Sequence, residues 1–132
     1  MSIRVLAAVI ERNGSVLICK RPAHKRHGDL WEFPGGKVEE GETDLEAAGR
    51  ELDEELALAV TAVGPVTWSI ADPGSEFVIE FLPVGIEGEP QCLEHSALAW
   101  VPGDELLTYN LAPSDRRYVQ HRLATLAASR DD

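Results

Sequence analysis

Apolar residues recur with two periods along this chain, and the two divide it into strands and helices. Strand-like runs at 3–11 and 15–20 flank Asn13-Gly14, a pair that favours a two-residue hairpin turn. Further strand-like runs lie at 65–70, 76–84 and 97–101. From Thr43 to about Leu58 there is no Pro, and Ala, Leu and Glu dominate, which predicts a helix. Thr43, with Glu46 three residues on, has the form of a capping box. At about 100° per residue, Leu45, Ala48, Leu52 and Leu56 form one apolar stripe. Glu51, Glu54 and Glu55 fall together on the neighbouring face. A final helix fits 114 to about 128, with Tyr118, Val119, Leu123 and Leu126 near one face, and 129–132 are expected to fray. Strands mixed with two substantial helices predict an α/β fold, a mixed sheet covered on both sides.

Composition narrows the class without naming a chemistry. The chain has 132 residues, 44% hydrophobic and 27% charged, which fits a single domain over 1–132 with a real core. No apolar stretch approaches the roughly 20 residues of a membrane span, and Met1-Ser2-Ile3-Arg4 leads into a strand without a signal-peptide pattern. Cys19 and Cys92 are far apart and lack metal-site spacing; both are expected to be free thiols in a reducing cytoplasm. A net charge of -11 argues against affinity for a nucleic-acid polymer.

The chemistry concentrates in residues 36–58. Three carboxylates, Glu51, Glu54 and Glu55, packed together with only Arg50 beside them repel one another. Either they face water, or they hold a counter-ion. Hard oxygen donors in this number suit Mg²⁺ or Mn²⁺. Gly35 and Gly36 allow a main-chain turn in which a carbonyl can face a metal or phosphate.

Gly36, Glu42 six residues on, and Arg50-Glu51-Leu52-Asp53-Glu54-Glu55 match the Nudix box, with Ala57 standing where the box has its second Gly. Trp31-Glu32-Phe33-Pro34-Gly35-Gly36-Lys37 is similar to the family's approach to that box. The chain thus resembles the Nudix hydrolases, and within them the MutT-type nucleoside triphosphate pyrophosphohydrolases. Glu94-His95, 97–100 and 111–115 look closest to the branch acting on cytidine and modified nucleotides. The resemblance implies an α/β/α sandwich. It implies that the Gly35 carbonyl, Glu51, Glu54 and Glu55 hold divalent metal, with Glu94 a supplementary ligand or base, or an exposed loop residue. Glu51 is the expected proton acceptor, with Glu54 or Glu94 next, and Arg50 and Glu42 pair with one another or with Glu51 and orient the ligands. Arg21 and Arg26 lie where relatives contact phosphates and nucleoside, although Arg26 also reads as a plain surface cation. Lys37 would join Arg21 in offsetting substrate charge, and Trp31 or Phe33 could pack the base. Asp115 either hydrogen-bonds the base or begins the last helix. Ionised, it would accept only, favouring an exocyclic amino group; protonated, it could also donate to an oxidised guanine. All four histidines read as structural or surface residues, with His24, His27 and His95 near the site.

The expected activity is Mg²⁺-dependent hydrolysis of nucleoside or deoxynucleoside triphosphates, cytidine or oxidised bases included, to monophosphate and pyrophosphate, cleaning the nucleotide pool. Its partner is a small nucleotide, with no polymer and no membrane, and the protein is a monomer or homodimer. One rival reading is cleavage of nucleoside diphosphate conjugates such as ADP-ribose or a nucleotide sugar. Another is a silent nucleotide-sensing module, which would be expected to have lost box carboxylates that this chain retains.

Overall fold

The computed structural model describes residues 2–130. Strand β1 (Ile3–Val9) is central to one sheet, because its side chains are apolar on both faces. Leu6 and Ala8 enter one core cluster, and Ala7 and Val9 enter the other. It runs parallel to β8 (Phe77–Glu87) and antiparallel to β5 (Gly35–Lys37). β6 (Ala59–Val63) and β7 (Trp68–Ala71) both pair antiparallel with the long β8, so the sheet is mixed. In the second sheet, β2 (Glu11–Arg12) and β4 (Trp31–Glu32) pair with opposite ends of β3 (Ser15–Lys20), and β9 (Ala97–Pro102) runs antiparallel along β3.

Helix α1 (Asp44–Leu56) begins at a complete capping box: the Thr43 hydroxyl accepts from the Glu46 N–H at 3.1 Å, and the Glu46 carboxylate accepts from the Thr43 N–H at 2.9 Å. Its buried face is Ala47, Ala48, Leu52 and Leu56, packed with Leu6, Leu17 and Leu82. Helix α2 (Pro113–Arg130) carries Tyr118 and Val119 into the other cluster, against Phe33 and Phe81. Helices on separate core clusters give the α/β/α sandwich that the resemblance implies.

Several expectations need correction. The predicted first strand breaks at Ile10, so β1 ends at Val9 and β2 takes Glu11. Leu45 is not on the core stripe: it is 46% exposed, and Ala47 replaces it. Leu126 is 45% exposed. β6, the short β4 and β5, and a 3-10 helix at Gly103–Thr108 were not anticipated. Ser129 and Arg130 belong to α2 rather than a frayed tail, and Asp131 and Asp132 lie outside the described residues. α1 ends at Ala57 in the left-handed conformation, φ 54° and ψ 37°, with its N–H bonded to the Asp53 carbonyl and that of Leu58 to the Leu52 carbonyl. That is a glycine's task performed by alanine.

Candidate active site

Gly35 and Gly36 lie on β5, above the middle of α1, and the contact tolerates no side chain. A Cβ on Gly35, where φ is 151°, would stand 1.9 Å from the Leu6 carbonyl oxygen. One on Gly36 would stand 2.4 Å from the carboxyl carbon of Glu51. The space a methyl would fill is therefore occupied by a carboxylate. One turn on, the Glu55 carboxylate accepts the Gly35 N–H at 3.2 Å. Leu52 and Leu56, fully buried, fix the phase of α1 that aims both acids at the turn.

Arg50 organises the outer side of this cluster. Its Nε and Nη2 donate to the two Glu42 oxygens at 2.8 and 2.9 Å, its Nη1 to Glu51 at 2.8 Å, and its Nη2 also to the Lys37 carbonyl at 3.0 Å. The guanidinium, followed by the Glu39 N–H, holds the Glu42 carboxyl down to about 2. Burial raises Glu51 despite its bond to Arg50. Glu55 is buried and, among the described residues, pairs with no Lys or Arg, while His95 Nε2 lies 3.8 Å from it. Burial first, then the charges of Glu51, Glu32 and Glu94, push its carboxyl up to about 9.

A buried acid in so negative a setting fits one kind of guest, a hard cation taking oxygen donors. Glu94 reaches the same small cavity, about 80 Å³, as Glu55, Glu32, His95, Arg21 and Lys25. Glu54 does not join them: its side chain is 54% exposed and lies 3.9 Å from Arg50. Among the described residues no three acidic, His or Cys side chains close around a common point in this conformation. The donors are assembled, but not drawn in.

A second cleft, about 200 Å³, adjoins this cavity and shares Arg21 and Glu32 with it. Asp115 and Ser114, both buried, lie at one end, and Phe77 and Ile79 supply an apolar wall. Asp115 accepts the Phe33 N–H at 3.0 Å. Burial, opposed by that N–H, pushes its carboxyl up to about 7. Arg21 reaches the cleft but is held by Glu32 at 3.0 and 3.2 Å, and Arg26 stands 3.8 Å from Asp72.

The two aromatic candidates sit outside this cleft, as alternation allowed for one of them. Phe33 is core, edge-on to Phe81 and Tyr118, and Trp31 packs edge-on against Tyr109. Neither lines the cleft. Lys37 does not line it either; its Nζ lies over the Phe77 ring, 5.2 Å from the centroid. Glu32 was missed. Strand alternation between Trp31 and Phe33 was its signal, because two apolar residues on one side send the residue between them to the other. A larger cavity, about 590 Å³, lies apart from the chemistry. It contains no candidate site residue, and its one cation, Arg122, is paired with Glu11.

A carboxylate cluster under a double-glycine turn, beside a cleft that shares Arg21 and Glu32 with its cavity, is an arrangement that could take a cation and a phosphate-bearing ligand. The chain belongs to the Nudix hydrolases: the NUDIX domain matches residues 2–121. It is 40% identical to the CTP pyrophosphohydrolase of Escherichia coli (strain K12) over 129 residues, 96% of this chain and 95% of that one. The solution structure of the E. coli ORF135 protein superposes with a TM-score of 0.82 at 40% identity, covering 99% of this chain and 95% of the other. An 8-oxo-dGTP diphosphatase of Proteus vulgaris is 43% identical over 60 residues, 45% of this chain and 54% of that one.

Proposed function

We propose that the protein hydrolyses nucleoside triphosphates, with cytidine and oxidised or otherwise modified bases among them, to the monophosphate and pyrophosphate. It would act in the cytoplasm to clear the nucleotide pool. The observation that carries this reading is the junction of two cavities. One holds Glu55 and Glu94, the other, about 200 Å³, holds Asp115, and Arg21 and Glu32 line both. A triphosphate needs such adjoining sites, one for its phosphates and one for its base. The names borne by the E. coli and Proteus relatives support it.

The Gly35 carbonyl, Glu51, Glu54, Glu55 and Glu94 would hold Mg²⁺, with Mn²⁺ as a substitute. Bound there, the cation neutralises phosphate charge and lowers the pKa of the attacking water. Arg50 holds one Glu51 oxygen, leaving the other to accept the proton of that water. Glu42 anchors Arg50 from behind. Asp115, with its carboxyl near 7, is present in both forms close to neutrality. Ionised, it accepts from an exocyclic amino group such as that of cytosine; protonated, it also donates.

The test is Glu51→Gln in a protein whose circular dichroism matches the wild type. Loss of kcat by several orders of magnitude is expected, on the scale general-base removal produces, about 10²–10⁴-fold. Near-native turnover would refute the assignment of Glu51.

A further inference from the structure

His95 has a more particular role than lining the site. Its side chain is 5% exposed, with Nε2 3.0 Å from one Glu32 oxygen and 3.8 Å from one Glu55 oxygen. One imidazole nitrogen therefore stands between two carboxylates of the small cavity, of which Glu32 alone also lines the neighbouring cleft. The segment that carries it has no regular structure but is fastened at both ends. The Gln91 and Leu93 N–H groups donate to the Leu56 and Glu55 carbonyls at the end of α1, and the Ser96 N–H donates to the Lys20 carbonyl of β3. Nδ1 is buried with no hydrogen-bond partner among the described residues.

That last fact favours the tautomer with its proton on Nε2. With the proton on Nε2, the ring donates toward Glu32 and Nδ1 carries only a lone pair. The other tautomer would turn a lone pair toward two carboxylates and bury an unpaired N–H, the costlier arrangement.

We propose that His95 is a positioning residue that holds Glu32 toward Arg21 and the base cleft, away from Glu55, and so leaves Glu55 free to take the cation. The inference rests on the reading of Glu55 as a metal ligand. Without the imidazole, Glu32 would lose one of its two anchors and face Glu55 directly. Groups that orient a ligand in this way typically change metal affinity or activity by about 10–100-fold when removed.

The test uses the full chain and three substitutions, His95→Gln, His95→Asn and His95→Phe. Gln places an amide nitrogen near the Nε2 position; Asn reaches only the Nδ1 position; Phe keeps ring shape and donates nothing. Mn²⁺ binding, read by electron paramagnetic resonance in the absence of nucleotide, should weaken about tenfold or more for Asn and Phe and stay within about threefold of wild type for Gln. A ¹⁵N–¹H correlation spectrum of the metal-free protein should show the His95 proton on Nε2. Equal loss in Gln and Phe, unchanged Mn²⁺ binding in all three, or a proton on Nδ1 would each overturn the proposal. Absence of Mn²⁺ binding by the wild type would instead overturn the metal-site reading, and this inference with it.

Discussion

Replacing Asp115 by Asn separates a titrating group from its geometry. The amide oxygen can still accept the Phe33 N–H, now received by Asp115 Oδ1 at 3.0 Å, but the side chain no longer ionises. In the wild type, burial raises this acid from 3.8 to about 7. The folded protein therefore keeps a proton that the unfolded chain releases. The stability it contributes is complete below about 3.8 and is lost as the pH rises through about 7. At about 1.4 kcal/mol per pH unit, the whole loss is on the order of 4 kcal/mol, of which roughly 2 kcal/mol falls between pH 5.5 and 8.5. For a chain of this length that is a midpoint change of roughly 6 °C. Thermal unfolding of metal-free wild type and Asp115→Asn, followed by circular dichroism at pH 5.5, 7 and 8.5, reads it directly. The variant should gain on the wild type by about that amount as the pH rises. Parallel curves, with a constant difference in midpoint, would refute a buried acid that stays protonated to neutrality.

Three further results are expected. Ala57→Gly should stabilise the protein by about 1 kcal/mol, because φ 54° costs alanine and not glycine; a urea midpoint that does not rise would contradict it. Gly36→Ala puts a Cβ 2.4 Å from the Glu51 carboxyl carbon, so hydrolysis should fall about 10–100-fold with the far-ultraviolet spectrum unchanged. Wild-type rates in that variant would mean that Glu51 is not needed where it stands. Glu55, raised to about 9, gives stability that is lost as the pH climbs from about 4.5 to 9, so the metal-free midpoint should fall over that range and Mn²⁺ should restore it. Glu55→Gln should flatten the fall and abolish the restoration; a Gln variant still stabilised by Mn²⁺ would remove Glu55 from the metal site.

What was legible in the sequence was what depends on near neighbours. The capping box and the turn at Gly35-Gly36 follow from spacing along one helix and its approach, and the place of Glu42 and Arg50 beside the ligands follows from the resemblance. Periodicity fails where burial is decided by distant elements. Leu45 has the right helical phase but lies at the first turn of α1, where it stays 46% exposed. β6 follows directly on the left-handed cap at Ala57, and its Ala-Val-Thr-Ala-Val sequence is half exposed, with a bulge at Val60/Ala62, so it shows no clean alternation. Phe33 reads equally as a base platform or as core until α2 arrives to cover it with Tyr118. His95 meets Glu32 across 63 residues of sequence, a contact that no local pattern encodes.

The account stands or falls on the bond that is cut. CTP should be incubated with the protein and Mg²⁺, and the products resolved by anion-exchange chromatography, with 8-oxo-dGTP, ADP-ribose and a nucleotide sugar in parallel. CMP and pyrophosphate in equal amounts, with no reaction when the metal is chelated, is the predicted result. Inert triphosphates alongside cleavage of ADP-ribose or the nucleotide sugar would contradict it.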